Sequence, residues 1–195
     1  MPLRSASSPP VPAPTRVPGL AGLEHVGLTV PDIDVATRFF SEVLGAETLY
    51  DIGPFASPDE WMAVHLAMQA NSRIHRLRVL KVANGPTLEL FEFQRDSGAG
   101  TDAARIGRNG GNWHMAFYVD DMDQALAALK QHGVAIQSGP VTMTQGPSAG
   151  LTWLYFSAPW GLQLELVSYP GGIAAYQRLG ASVWRPKHIS DGEPE

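Results

Sequence analysis

The chain has 195 residues, of which 44% are hydrophobic and 17% charged, ordinary proportions for a folded protein able to bury a core. A formal charge of −5 offers no basic footprint for nucleic acid, and no apolar run is long enough to span a bilayer. Cysteine is absent, which excludes disulfides, thiolate nucleophiles and cysteine-ligated zinc, so any metal must be held by nitrogen and oxygen.

Residues 1–20 are rich in Pro, Ser and Ala. They carry too little apolar surface to offset their ordering entropy and read as a flexible or loosely docked extension. They also lack the apolar centre of a secretory signal, so a cytoplasmic protein is expected.

A first unit spans 21–96. Leu23 to Val30 reads as a strand, with His25, Gly27 and Thr29 on one face and Val26, Leu28 and Val30 on the other. Asp32 is the expected N-cap of a helix whose buried stripe is Ile33, Ala36, Phe39, Phe40 and Val43, and Gly45 should end it. Further strands are expected over Glu47 to Ile52, Trp61 to Met68 and Ile74 to Val82. Asn84-Gly85 then signals a hairpin into Thr87 to Phe93.

A glycine-rich linker over 97–111 precedes a second unit over 112–170, and a tail follows over 171–195. His114 to Val119 reads as a strand. Asp121 caps a helix with Met122, Ala125, Leu126 and Leu129 inward, and Gly133 ends it. Strands follow over Val134 to Gln137, Leu151 to Phe156 and Leu162 to Val167, with a loop from Gly139 to Gly150.

The second unit repeats the first. His25 matches His114, Asp32 matches Asp121, and Leu88-Glu89-Leu90 matches Leu164-Glu165-Leu166. The fold class is therefore α+β: two tandem βαβββ modules forming a curved, cup-shaped mixed sheet with helices on the outside. The sheet faces opposite the helices carry His25 and Glu89 from one module, and His114 and Glu165 from the other. Gly27 and Ala116, two residues beyond each histidine, are small where a ligand needs room.

The strand-to-helix stretches Glu24-His25-Val26-Gly27-Leu28-Thr29-Val30 and Trp113-His114-Met115-Ala116-Phe117-Tyr118-Val119-Asp120-Asp121, with the two Leu-Glu-Leu strands and the Ala158-Pro159-Trp160-Gly161 turn, resemble the vicinal-oxygen-chelate superfamily over about residues 21 to 170. That superfamily includes glyoxalase I, methylmalonyl-CoA epimerase, extradiol dioxygenases, and the fosfomycin and bleomycin resistance proteins. The resemblance implies that His25, Glu89, His114 and Glu165 ligate one divalent ion, and that donor set suits Zn, Ni, Co, Mn or Fe. It further implies an open site that a substrate chelates through adjacent oxygens, with proton abstraction beside a carbonyl by Glu165 or Glu89 and a metal-stabilised enediolate. Partners implied are a small molecule and a second copy in a homodimer, with no nucleic acid and no membrane.

Two other functions remain open at this stage. An extradiol dioxygenase uses two His and one Glu, and Glu89 occupies the position such enzymes leave free. A non-catalytic ligand- or antibiotic-binding protein typically lacks the metal residues.

The other polar residues have plainer explanations. Glu92 is on the wrong face to join Glu89 and should be exposed or paired, while His132 suits a helix C-terminus. His65 and His75 are candidates to line the cup, and Arg73, Arg76 and Arg78 either hold an anionic substrate or form a solvated face. Trp113, Trp153, Tyr155 and Trp160 read as packing or interface residues, and His188 in the tail carries no signal.

Overall fold

The computed structural model of the chain describes residues 22–57, 60–66, 71–94 and 114–179. The expected extension over 1–20, the linker over 97–111 and the tail beyond Leu179 lie outside those residues. The first half runs β1 (His25–Thr29), α1 (Ile33–Leu44), β2 (Glu47–Ile52), α2 (Trp61–Leu66), β3 (Ile74–Lys81) and β4 (Thr87–Phe93). The second runs β5 (Met115–Tyr118), α3 (Met122–Gln131), β6 (Ala135–Ile136), β7 (Val141–Thr142), β8 (Thr152–Ser157) and β9 (Gln163–Ser168), and is followed by α4 (Ala174–Leu179).

Each half builds its own mixed sheet, ordered β1-β4-β3-β2 in the first and β5-β9-β8-β6 in the second, with β7 added against β8. In both, the first strand lies parallel to the last and the other pairings are antiparallel. The α+β class and the repeat are thus present as expected. The order puts each histidine-bearing segment beside the Leu-Glu-Leu strand of its own half, although more than fifty residues separate His25 from Glu89 in sequence.

Local chemistry sets the helix ends. The Asp32 carboxylate accepts hydrogen bonds from Asp34 N and Val35 N, each at 2.9 Å, and so satisfies two of the free amides at the start of α1. Glu92, expected to be exposed or paired, reaches back and accepts from Ile33 N at 3.1 Å. Gly45 ends α1 at φ 68°, a left-handed conformation that a side chain resists, and its N–H donates to Ser41 O. Asp121 accepts from Gln124 N at 3.0 Å and starts α3 in the same way.

Two expectations need correction. Trp61 to Met68 is not a strand: residues 61–66 form α2, and 67 and 68 lie outside the described residues. Ala63 N and Val64 N both donate to Glu60 O, which starts a helical turn. Met62 points into the protein, fully buried, while the His65 ring stacks on Trp61 at 4.7 Å one turn away. Arg76 and Arg78 are not free to hold an anion. Arg76 grips Asp34 through both terminal nitrogens, and Arg78 binds Asp51 bidentately while reaching Asp34 and Thr37. These guanidiniums hold the Asp34 and Asp51 carboxyls below the usual carboxylate range.

One core serves both modules. Leu28, Val30, Leu88 and Leu90 from the first sheet join Leu154, Phe156, Leu164 and Leu166 from the second in a single buried cluster, together with the inward stripes of α1 and α3. Phe39 and Phe40 of α1 meet Trp160 of the β8–β9 turn at 5.7 and 6.0 Å, an aromatic join between the halves. Strands alternate faces, so burying Leu88 and Leu90 points Glu89 away from this core, and burying Leu164 and Leu166 does the same for Glu165.

Candidate metal centre

Register builds the site. In the first sheet Gly27 lies beside Glu89, and in the second Ala116 lies beside Glu165. The histidine two residues earlier in each case shares the face of its glutamate. His25 Nε2 comes within 3.4 Å of Glu89 Oε2, and His114 Nε2 within 2.8 Å of Glu165 Oε2. Gly27 and Ala116 are both exposed, which leaves room above each pair.

The two pairs differ in shelter. The side chains of His25 and Glu89 are 46% and 23% exposed, against 24% and 12% for His114 and Glu165. His25 has a carboxylate on each ring nitrogen, since Nδ1 is held by Glu24. The hydrogen bond to Glu24, and then the charge of Glu89, push the His25 pKa up. At the second pair the Tyr155 ring stands edge-on to the His114 ring at 5.1 Å, and its hydroxyl lies 3.4 Å from His114 Nε2. Burial, and then the charge of Glu165, raise the Tyr155 pKa.

Tyr155 is the functional candidate that sequence reasoning placed in packing. It is the direct cross-strand partner of Glu165, so its ring belongs to the face of the His114–Glu165 pair. Only the β8–β9 register reveals that. Trp153 packs against Tyr155 at 5.3 Å and completes an aromatic wall on this side.

The structure therefore joins His25 to Glu89 and His114 to Glu165. Among the described residues, no three His, Asp or Glu side chains gather into one metal-binding group. His65 stacks on Trp61, His75 is exposed on β3, and His132 caps α3. Trp113 and His188 lie outside the described residues.

Comparison with known proteins gives the class of this repeat and its matched His–Glu pairs. The chain belongs to the glyoxalase/bleomycin resistance protein/dioxygenase superfamily, whose model matches residues 22–166. It is similar to a 2-epi-5-epi-valiolone epimerase from Actinomyces sp., 41% identical over 177 residues, which is 88% of this chain and 92% of that relative. Among solved structures it shares its fold with a glyoxalase family protein from Bacillus cereus, with a TM-score of 0.57 at 19% identity over 76% of this chain and 94% of that one. A glyoxylase/bleomycin resistance protein/dioxygenase domain from Frankia sp. matches with a TM-score of 0.52 at 23% identity, over 77% of this chain and 99% of that one. Among the described residues no helix is long and apolar enough to cross a membrane.

Proposed function

We propose that the chain is a metal-dependent epimerase that inverts a carbon next to a carbonyl in a small, oxygen-rich substrate. The observation that carries this reading is the pairing of an imidazole Nε2 with a glutamate carboxylate at repeat-equivalent places, His25 with Glu89 and His114 with Glu165. Its support from outside is the 41% identity with an epimerase.

The donor chemistry fits a divalent ion. Neutral imidazole and carboxylate together suit Zn, Ni, Co, Mn or Fe, and each module supplies one of each. One module alone offers too few donors to hold such an ion. The pairs of a single chain face away from its shared core, so the four-donor set is assigned to the first module of one copy and the second module of another. Tyr50 and Ile52 support a covered interface there. They lie on the Glu89 face by register, yet are 50% and 53% exposed in the single chain. A homodimer follows, with a residue pair from each copy in every site.

A divalent ion held by these residues would supply Lewis-acid stabilisation of negative charge on a substrate oxygen. The protein's own residues handle the proton. Glu165, the more sheltered carboxylate, takes the proton from the carbon while the C–H electron pair moves toward the carbonyl oxygen. Inversion requires the return proton to arrive on the opposite face, and Glu89 of the other copy delivers it. Trp153 and Tyr155 wall off water beside Glu165, which strengthens every electrostatic contact at the reacting atoms.

The test is turnover in deuterium oxide with metal-loaded protein, using 2-epi-5-epi-valiolone and a panel of small chiral α-hydroxy ketones. One solvent deuteron at the inverted carbon, lost in Glu165→Gln, is expected. Absence of exchange across the whole panel, or exchange that survives both Glu165→Gln and Glu89→Gln, would overturn the proposal.

A further inference from the structure

The two histidines are held differently, and the difference lies one residue before each. Glu24 precedes His25, and its Oε2 pairs with His25 Nδ1 at 2.5 Å. The equivalent position before His114 is Trp113, which has no acceptor in its side chain. Both ring nitrogens face a carboxylate, but the Glu24 contact at 2.5 Å is far closer than the Glu89 contact at 3.4 Å, so the single proton of a neutral imidazole stays on Nδ1. The Nε2 lone pair then points at the place where Glu89 Oε2 stands, 3.4 Å away. Glu24 is itself 82% exposed and touches His25 as a chain neighbour, so the contact needs no tertiary packing to form. His25 is the more exposed of the two histidines, without the aromatic wall that steadies His114.

We propose that Glu24 is a positioning residue for His25: it fixes the Nδ1–H tautomer and ring orientation, so that Nε2 is presented as a metal donor beside Glu89. This rests on the metal-dependent reading above. Imidazole ligands generally need such a partner on the second nitrogen, and its loss typically weakens metal affinity by about 10- to 100-fold. The first module meets that need with a residue adjacent in sequence.

Two readouts on the purified full chain test this. The first is the His25 tautomer in metal-free protein, from long-range proton–nitrogen NMR at about pH 9, where imidazoles are neutral. The second is Zn affinity by competition with a chromophoric chelator. Wild type should show Nδ1–H at His25, and Glu24→Ala a mixture of tautomers with Zn bound roughly 10- to 100-fold more weakly. Glu24→Gln, which keeps a neutral acceptor, should fall between. An unchanged tautomer and unchanged Zn affinity in Glu24→Ala would reduce Glu24 to a surface ion pair and overturn the inference, as would Nε2–H at His25 in wild type. Wild type that binds no Zn would sink the metal reading, and the tautomer comparison would still decide the role of Glu24. Exposed Glu24 is not needed for folding, so unchanged circular dichroism is expected in both variants.

Discussion

His114 Nε2 and Glu165 Oε2 stand 2.8 Å apart although fifty residues separate them in sequence. The parallel pairing of β5 with β9 is what brings them together. Glu165 is also one of only two buried polar residues among those described, and a carboxylate in that position needs a partner. Glu165→Gln should keep the fold, since the amide has the same shape and a hydrogen-bonding oxygen. It should nevertheless lose Zn affinity by at least about tenfold, the effect of one donor's charge, and abolish turnover. Isothermal titration and a thermal melt separate the two effects.

The hydroxyl of Tyr155 lies 3.4 Å from His114 Nε2. Tyr155→Phe removes that contact and keeps the ring. With one hydrogen bond worth about 1 kcal/mol, kcat/KM should drop by roughly fivefold while the melting temperature barely moves. Unchanged kinetics would return Tyr155 to a packing role.

Phe40 is fully buried where α1 meets Trp160. Phe40→Ala should destabilise the protein by about 3–5 kcal/mol. Because one core serves both modules, the loss should appear as a single shifted transition in denaturant rather than as melting of the first half alone.

The paired acids Asp34 and Asp51 have depressed pKa values because of Arg76 and Arg78. A carboxyl whose folded pKa lies below its unfolded one stabilises the native state above the unfolded value, and loses that contribution as pH falls through the folded value. Stability from this cluster should therefore be level above about pH 4 and decline below it. An Asp34→Asn, Asp51→Asn double variant should be less stable at neutral pH and should converge on wild type in acid. Urea titrations at several pH values measure this.

Much of the fold was legible because the repeat supplied two readings of each element. Asp32 and Asp121, and the alternation around Leu88-Glu89-Leu90 and Leu164-Glu165-Leu166, marked helix starts and sheet faces without any tertiary information. The short α2 was not legible: Trp61 and Val64 favour strands, and six residues are too few for helical period to speak against them. The roles of Arg76 and Arg78 depend on a cross-sheet meeting with Asp34 that local pattern does not encode. Tyr155 reads as packing in the sequence for a similar reason, since only the register that sets it opposite Glu165 puts it on the same face as that carboxylate. The helix over Ala174–Leu179 fell in a stretch read only as a tail.

On the proposed function, a complete site takes His25 and Glu89 from one copy and His114 and Glu165 from another. Mixing a His25→Ala, Glu89→Gln chain with a His114→Ala, Glu165→Gln chain tests it most directly, after mild unfolding and refolding together. Each parent alone has no intact site. In a mixed dimer, the intact first module of one chain meets the intact second module of the other, so one of the two sites is whole. Activity and Zn binding should return on mixing. Parents that refold and pair, yet recover neither, would contradict it.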